Sequence, residues 1–150
     1  MTVCIDTNVL LGFFNNEPDK VESCTAFFQL LFTKRIKSVV ATITLLELAA
    51  ILTAADQSAE AERIVKSIES LPLFSIAEFR NGWVLRTASL KKANRLAIAD
   101  AIILSTAIET RCSHLITFDT VFKSVGKIQV LTPQKFIELQ IQVLNKKQAT

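Results

Sequence analysis

Tyrosine is absent from this sequence; histidine, methionine and tryptophan occur once each, and glycine, proline and cysteine three times each. With no tyrosine and one tryptophan, the 10 phenylalanines are mainly packing groups without polar handles, and little suggests a surface that stacks bases on aromatic rings. The lone His114 cannot supply a two-histidine acid–base mechanism, and at the start of a predicted strand it is expected to be structural. Cys4, Cys24 and Cys112 form no CxxC pair, are odd in number and lie near apolar residues. That predicts buried free thiols in a reducing compartment. No secretory signal is visible: the start lacks a basic region, and Asp6 and Asn8 interrupt the first apolar run. The most apolar later stretch, Ala41 to Ala55, is broken by Glu47 and falls short of the roughly 20 residues a spanning helix needs. A cytoplasmic protein is expected. No linker, repeat or low-complexity run divides the 150 residues, so a single domain is expected, burying roughly 68–70% of its unfolded surface, with a loose polar tail from about Asn145 to Thr150.

What the chain does have is apolar bulk. Half of its residues are hydrophobic and the mean hydropathy is +0.37, which implies a large core or an apolar face that meets a partner. The 17 basic and 14 acidic residues leave a net charge of +3, compatible with a polyanionic partner without establishing one.

Periodicity gives alternating strands and helices. Thr2 to Ile5 reads as a buried strand, followed by an apolar helical pattern from Val9 to Phe14. Pro18 and Asp19 open a predicted helix to about Arg35, Ser38 to Ala41 is a second strand, and Thr42 or Thr44 caps a helix through about Ala55. Further helices are expected over Gln57–Leu71, Glu78–Ala93, from about Ala99 to Thr110, and from Pro133; further strands over Leu73–Ile76, His114–Phe118 and Gln129–Leu131. The alternation predicts an α/β fold, three layers with a mostly parallel sheet of about five strands.

Four of the 14 acids stand in apolar surroundings, while the rest fall in polar segments or on polar helix faces. Asp6 ends Val-Cys-Ile, Glu47 lies inside Ile-Thr-Leu-Leu-Glu-Leu-Ala-Ala-Ile-Leu, Asp100 inside Leu-Ala-Ile-Ala-Asp-Ala-Ile-Ile-Leu, and Asp119 ends Leu-Ile-Thr-Phe. A helix apolar nearly all round is expected to be buried, so Glu47 and Asp100 should face something other than solvent. Burying an unpaired carboxylate costs several kcal/mol, so each should be paired or bound to a metal. Simpler roles stand beside this one. Asp6, Asp100 and Asp119 can cap helices, and Glu47 can pair with a distant Lys or Arg. If the four converge, their repulsion calls for a divalent cation, and an all-oxygen set favours Mg²⁺ or Mn²⁺ over Zn²⁺. Asp6 as a phosphoryl acceptor is a weaker reading, because a phosphatase pattern wants a second Asp where Asn8 stands.

Ile-Asp-Thr-Asn-Val-Leu-Leu, Glu47, Ala-Asp-Ala-Ile-Ile and Leu-Ile-Thr-Phe-Asp, in this order, resemble the PIN-domain ribonucleases, closest in size to the VapC-like toxin branch of toxin–antitoxin modules. The resemblance implies that Asp6, Glu47, Asp100 and Asp119 are the metal-binding, catalytic acids, with Thr7, Asn8 and Thr117 as supporting polar groups. It implies Mg²⁺- or Mn²⁺-dependent hydrolysis of RNA phosphodiester bonds to a 5′-phosphate and a 3′-hydroxyl. It also implies a homodimer and a small antitoxin as partners; other PIN domains serve in RNA processing and decay, and a catalytically dead binding module is the remaining alternative. Arg86, Lys91, Lys92 and Arg95, just before the Asp100 helix, are candidates for RNA phosphate contacts, with a solvated helix face as the plain alternative. Lys34, Arg35 and Lys37 form a second such cluster. Phe13, Phe14, Phe27, Phe28 and Phe32 are expected to divide between core and interface.

Overall fold

The apolar run Val3–Ile5 is fully buried in the first strand, β1 (Thr2–Ile5). The computed structural model describes residues 1–148 and places β1 at the centre of a five-stranded sheet. The other strands are β2 (Lys37–Ala41), β3 (Phe74–Ala77), β4 (His114–Ile116) and β5 (Gln129–Leu131). Their order is β3-β2-β1-β4-β5 and every neighbouring pair is parallel. From β1 the chain builds outward through β2 and β3, then returns to the other side of β1 for β4 and β5. The β1/β4 boundary is therefore the point at which strand order reverses, and in open α/β sheets a crevice opens there outside the carboxyl ends of the strands.

Among the described residues seven α-helices cover the sheet: α1 (Thr7–Phe14), α2 (Val21–Lys34), α3 (Thr42–Ala54), α4 (Ser58–Ser70), α5 (Val84–Asn94), α6 (Ile98–Glu109) and α7 (Pro133–Gln148). Successive strand side chains point to opposite faces, so the core divides in two. Val3, Ile5, Val40 and Ile116 pack against α1, α2, α3, α4 and α7, with Phe27 and Phe136 edge to face at 5.6 Å. Cys4, Val39, Ala41 and Leu115 face the other way, against Ile103, Leu104 and Ala107 of α6 and Leu90 of α5. All three thiols are free and buried, as expected. His114 is a packing group: its ring meets Phe136 edge to face at 5.2 Å, and burial holds its pKa below the ordinary value.

Several elements depart from the sequence reading. Pro18 and Asp19 form a turn, closed by Lys20 N–H and Val21 N–H donating to the Glu17 carbonyl, and α2 begins only at Val21. Neither threonine caps α3. The Thr42 hydroxyl donates to the Ala77 carbonyl at 3.2 Å, while the Thr44 hydroxyl is buried without a hydrogen-bond partner among the described residues. Residues 78–83 are not α-helical: β3 runs to Ala77, a 3₁₀ turn spans Asn81–Trp83, and α5 starts at Val84. The β2–β3 ladder extends to the Ala41/Ala77 pair, and Asn81-Gly82 is a poor helix interior. β4 stops at Ile116, two residues early: the Thr117 N–H still donates to the Leu131 carbonyl of β5 at 3.0 Å, but the Phe118 N–H turns to the Asn8 side chain. The polar segment from Asn145 continues α7 as far as Gln148; Ala149 and Thr150 lie outside the described residues. Nor is α3 buried all round: Leu46 is 61% and Ile51 50% exposed. Among the phenylalanines, Phe27 and Phe28 are buried, Phe13 and Phe14 partly so, and Phe32 is exposed.

Candidate active site

At the carboxyl end of β1 the chain leaves the sheet through Asp6 and enters α1. Asp6 is the N-cap of that helix: its Oδ1 accepts from the Thr7 backbone N–H at 2.7 Å. Capping is only part of its role. Its Oδ2 accepts from the Thr117 hydroxyl at 2.5 Å and from the Asn8 amide at 2.9 Å. Asn8 also donates to Thr117 Oγ1 at 3.1 Å and accepts from the Phe118 N–H at 3.1 Å. Thr117 Oγ1 in turn accepts from the Asp119 N–H at 2.9 Å. Asn8 and Thr117 thus tie the loop after β4 to the start of α1 across the β1/β4 crevice.

The other acids arrive from separate elements. Glu47, half-buried in the middle of α3, accepts from the Thr7 hydroxyl at 2.7 Å through Oε2. Asp100 lies in the first turn of α6 and takes a hydrogen bond from the Ala97 backbone N–H. The N-terminal end of that helix favours its negative charge. Asp119 Oδ1 accepts from the Val121 N–H at 2.8 Å, an Asx-type turn that fixes the carboxylate at the loop. Asp6, Glu47, Asp100 and Asp119 all line one open cavity of about 190 Å³, together with Thr7 and Asn8. Leu11 and Ile51 complete its wall. Nothing in their apolar type separates those two from core positions, and the sequence reading did not single them out.

The four carboxylates feel one another. Burial, foremost, raises the Asp6 carboxyl to about 6; the Thr117 and Thr7 hydrogen bonds pull it back, and Glu47 and Asp100 push it further up. Asp100 is raised by burial, then by Asp119 and Glu47. The ion pairs found among the described residues join Lys20–Glu17, Arg63–Glu60, Lys66–Glu62 and Arg86–Glu109, and none of them involves the four acids. The distant Lys or Arg partner considered for Glu47 does not appear among them. Among the described residues no group of three or more His, Cys, Asp or Glu side chains forms a ready ligand cage. The donor chemistry nonetheless suits a hard divalent cation: carboxylate oxygens from four elements, mutually repelling, around one cavity.

The basic residues separate. The Arg86–Glu109 pair (3.1 Å) and the Thr87–Ser105 hydroxyl contact (2.8 Å) set α5 antiparallel to α6. Arg86 therefore sits at the far end of α6, about 13 Å along the axis from Asp100. Lys91, Lys92 and Arg95 lie at or just past the carboxyl end of α5, beside the start of α6, and are exposed. Arg35 and Lys34, at the end of α2, line a different cavity with Met1 and α7.

A PIN domain family model matches residues 3–128. The chain belongs to the PIN domain family. The match spans β1 through the turn that precedes β5, and so includes all four acids. No curated protein matches the chain. Among solved structures, VapBC2 from Rickettsia felis bound to a DNA fragment from their promoter aligns with a TM-score of 0.69 at 20% identity, covering 87% of this chain and 97% of that one. A toxin–antitoxin complex from Klebsiella pneumoniae aligns at 0.65 and 23%, covering 87% and 97%. VapC20 of Mycobacterium tuberculosis, described as a toxin that cleaves the sarcin–ricin loop, aligns at 0.64 and 11%, covering 78% and 89%. At such identities the likeness establishes a shared PIN fold.

Proposed function

We propose that this PIN domain is a Mg²⁺- or Mn²⁺-dependent endoribonuclease that hydrolyses phosphodiester bonds of single-stranded or structured RNA, and that it is the toxin of a type II toxin–antitoxin pair. The observation that carries the reading is the convergence of Asp6, Glu47, Asp100 and Asp119 on one cavity with no basic side chain paired to them among the described residues. These four are the proposed metal-binding and catalytic acids. A bound ion would supply charge neutralisation and a water of lowered pKa. The remaining residues position and bind. Thr7 holds the Glu47 carboxylate, Asn8 and Thr117 hold Asp6, and the Val121 N–H holds Asp119. Lys91, Lys92 and Arg95 contact RNA phosphates beside the cavity, which contributes affinity rather than sequence choice. The products carry a 5′-phosphate and a 3′-hydroxyl.

The toxin assignment draws on the company of the fold, since the solved neighbours include toxin–antitoxin complexes. A homodimer and a small antitoxin are the proposed partners. Exposed Leu46 and Ile51 on α3 and Ile98 on α6 offer apolar area for them near the acid cavity. No described helix is long and apolar enough to cross a membrane, and a cytoplasmic site of action is proposed.

Glu47→Gln and Asp100→Asn test the chemistry. Both variants are expected to keep the wild-type circular dichroism, to melt no lower than wild type in EDTA, and to lose cleavage of a synthetic RNA in Mg²⁺ or Mn²⁺. A wild-type protein saturated with Mn²⁺ that leaves RNA intact would make this a binding module instead. Sequencing RNA ends after brief expression identifies the target. A neighbouring short reading frame for a DNA-binding antitoxin separates a toxin from a nuclease of RNA processing or decay.

A further inference from the structure

The carboxyl end of α6 opens onto a second cavity, of about 420 Å³. It lies about 12 Å along the helix from Asp100, at the opposite edge of the sheet from the acids. Three cations stand around it: Arg86, Arg111 and Lys127. Arg86 Nη1 is held by Glu109 Oε1 at 3.1 Å, which fixes the guanidinium and leaves donors of the fork free. Arg111 follows the helix end in a left-handed conformation (φ 57°). Lys127 is carried by a tight turn in which Val125 and Ile128 exchange backbone hydrogen bonds of 3.2 and 3.0 Å. That turn requires Gly126 at φ 58°. The floor is apolar, with Ile108, Val125 and Ile128.

We propose that this cavity binds one nucleotide unit, its phosphate on Arg111, Lys127 and Arg86 and its base on the Ile108, Val125 and Ile128 floor. The volume lies within the usual range for small-ligand sites, roughly 300–1,000 Å³. Three cations against the single carboxylate of Glu109 leave a surplus of positive charge suited to a phosphate. A bare anion would satisfy the cations and leave the apolar floor wet; a flat base covers it. Neither half of the site uses the acid cavity, so the proposal stands independently of the nuclease reading. The unit can come from a free mononucleotide or from an RNA strand.

The test is a ¹H–¹⁵N titration in EDTA at low salt, where no cleavage occurs, with AMP, GMP, UMP, inorganic phosphate and a glutamate-rich peptide. Saturable nucleotide shifts are expected at the amides of 108–112 and 125–128, with those of Asp100 and Asp119 unmoved. The Arg111→Gln/Lys127→Gln double variant, altered only at exposed side chains, is expected to bind at least tenfold more weakly with an unchanged spectrum elsewhere. A 2′-O-methyl hexanucleotide binding tenfold or more tighter than mononucleotides at the same amides identifies a strand as the source; equal affinity identifies the free nucleotide. Phosphate or peptide binding as well as nucleotides would overturn the proposal, as would shifts that never saturate or that survive the double substitution.

Discussion

The Thr117 hydroxyl donates to Asp6 Oδ2 at 2.5 Å, joining two residues 111 positions apart in the chain. Thr117 Oγ1 also accepts from the Asn8 amide and from the Asp119 N–H, so one hydroxyl organises two of the four acids. Thr117→Val keeps the shape and removes all three bonds, leaving a buried carboxylate short of a donor. A loss of about 1–3 kcal/mol in urea unfolding at neutral pH is expected. Thr117→Ser should retain most of the stability.

The repulsion among the acids has a pH signature. The folded state raises Asp6 from 3.8 to about 6, and Asp100 in the same direction. The folded protein therefore holds protons that the unfolded chain has released. The associated stability is present in full below pH 4 and is lost as pH rises through about 6, by roughly 3 kcal/mol for Asp6. In EDTA, the melting temperature should fall between pH 4 and pH 7 from this contribution. Saturating Mn²⁺ should flatten or reverse that fall.

The Thr7 backbone N–H caps Asp6, while its hydroxyl touches Glu47 alone among the acids. Thr7→Val is expected to weaken Mn²⁺ binding, measured by calorimetry, about 10–100-fold, the usual consequence of freeing a ligand from its supporting hydrogen bond. An unchanged affinity would remove Glu47 from the ligand set.

Lys91, Lys92 and Arg95 should reveal themselves through salt. Changing each to alanine in an Asp100→Asn background is expected to weaken single-stranded RNA binding and to lower the slope of log affinity against log salt by about 0.7 per phosphate contact. Lys66→Ala, on the exposed face of α4 and paired with Glu62, serves as the control and should leave the slope alone.

Gly12 of α1 packs tightly against Cys24 of α2 and the Lys20 that precedes it. A Cβ there would stand 2.9 Å from Cys24 Sγ and 3.0 Å from Lys20 Cβ. Gly12→Ala is expected to cost about 1–3 kcal/mol in unfolding free energy despite alanine's better helix propensity.

Much of this was legible in residue order. Buried strands announced themselves by short apolar runs, and Asp6, Glu47, Asp100 and Asp119 by charge where the surroundings forbade it; all four do line one cavity. Cap and site are alternative roles for Asp6 in the sequence, and the residue fills both, because its two oxygens face different donors. What stayed hidden depends on contacts between distant segments. Nothing local says that the Phe118 N–H leaves the sheet for Asn8, or that Arg86 faces Glu109 rather than the acids. The Arg111 and Lys127 cavity joins the end of α6 to a turn 16 residues later, and neither stretch carries a pattern of its own.

The parallel pairing of β1 with β4 also sets a schedule. A ribosome adds residue 6 long before the strand and loop that complete its surroundings, since Thr117 follows 111 residues later. Until then Asp6 lacks its neighbouring strand and Thr117, and Asp119 has not been made. A chain that ends before residue 119 therefore lacks the fourth acid of the cavity and the loop that orders Asp6.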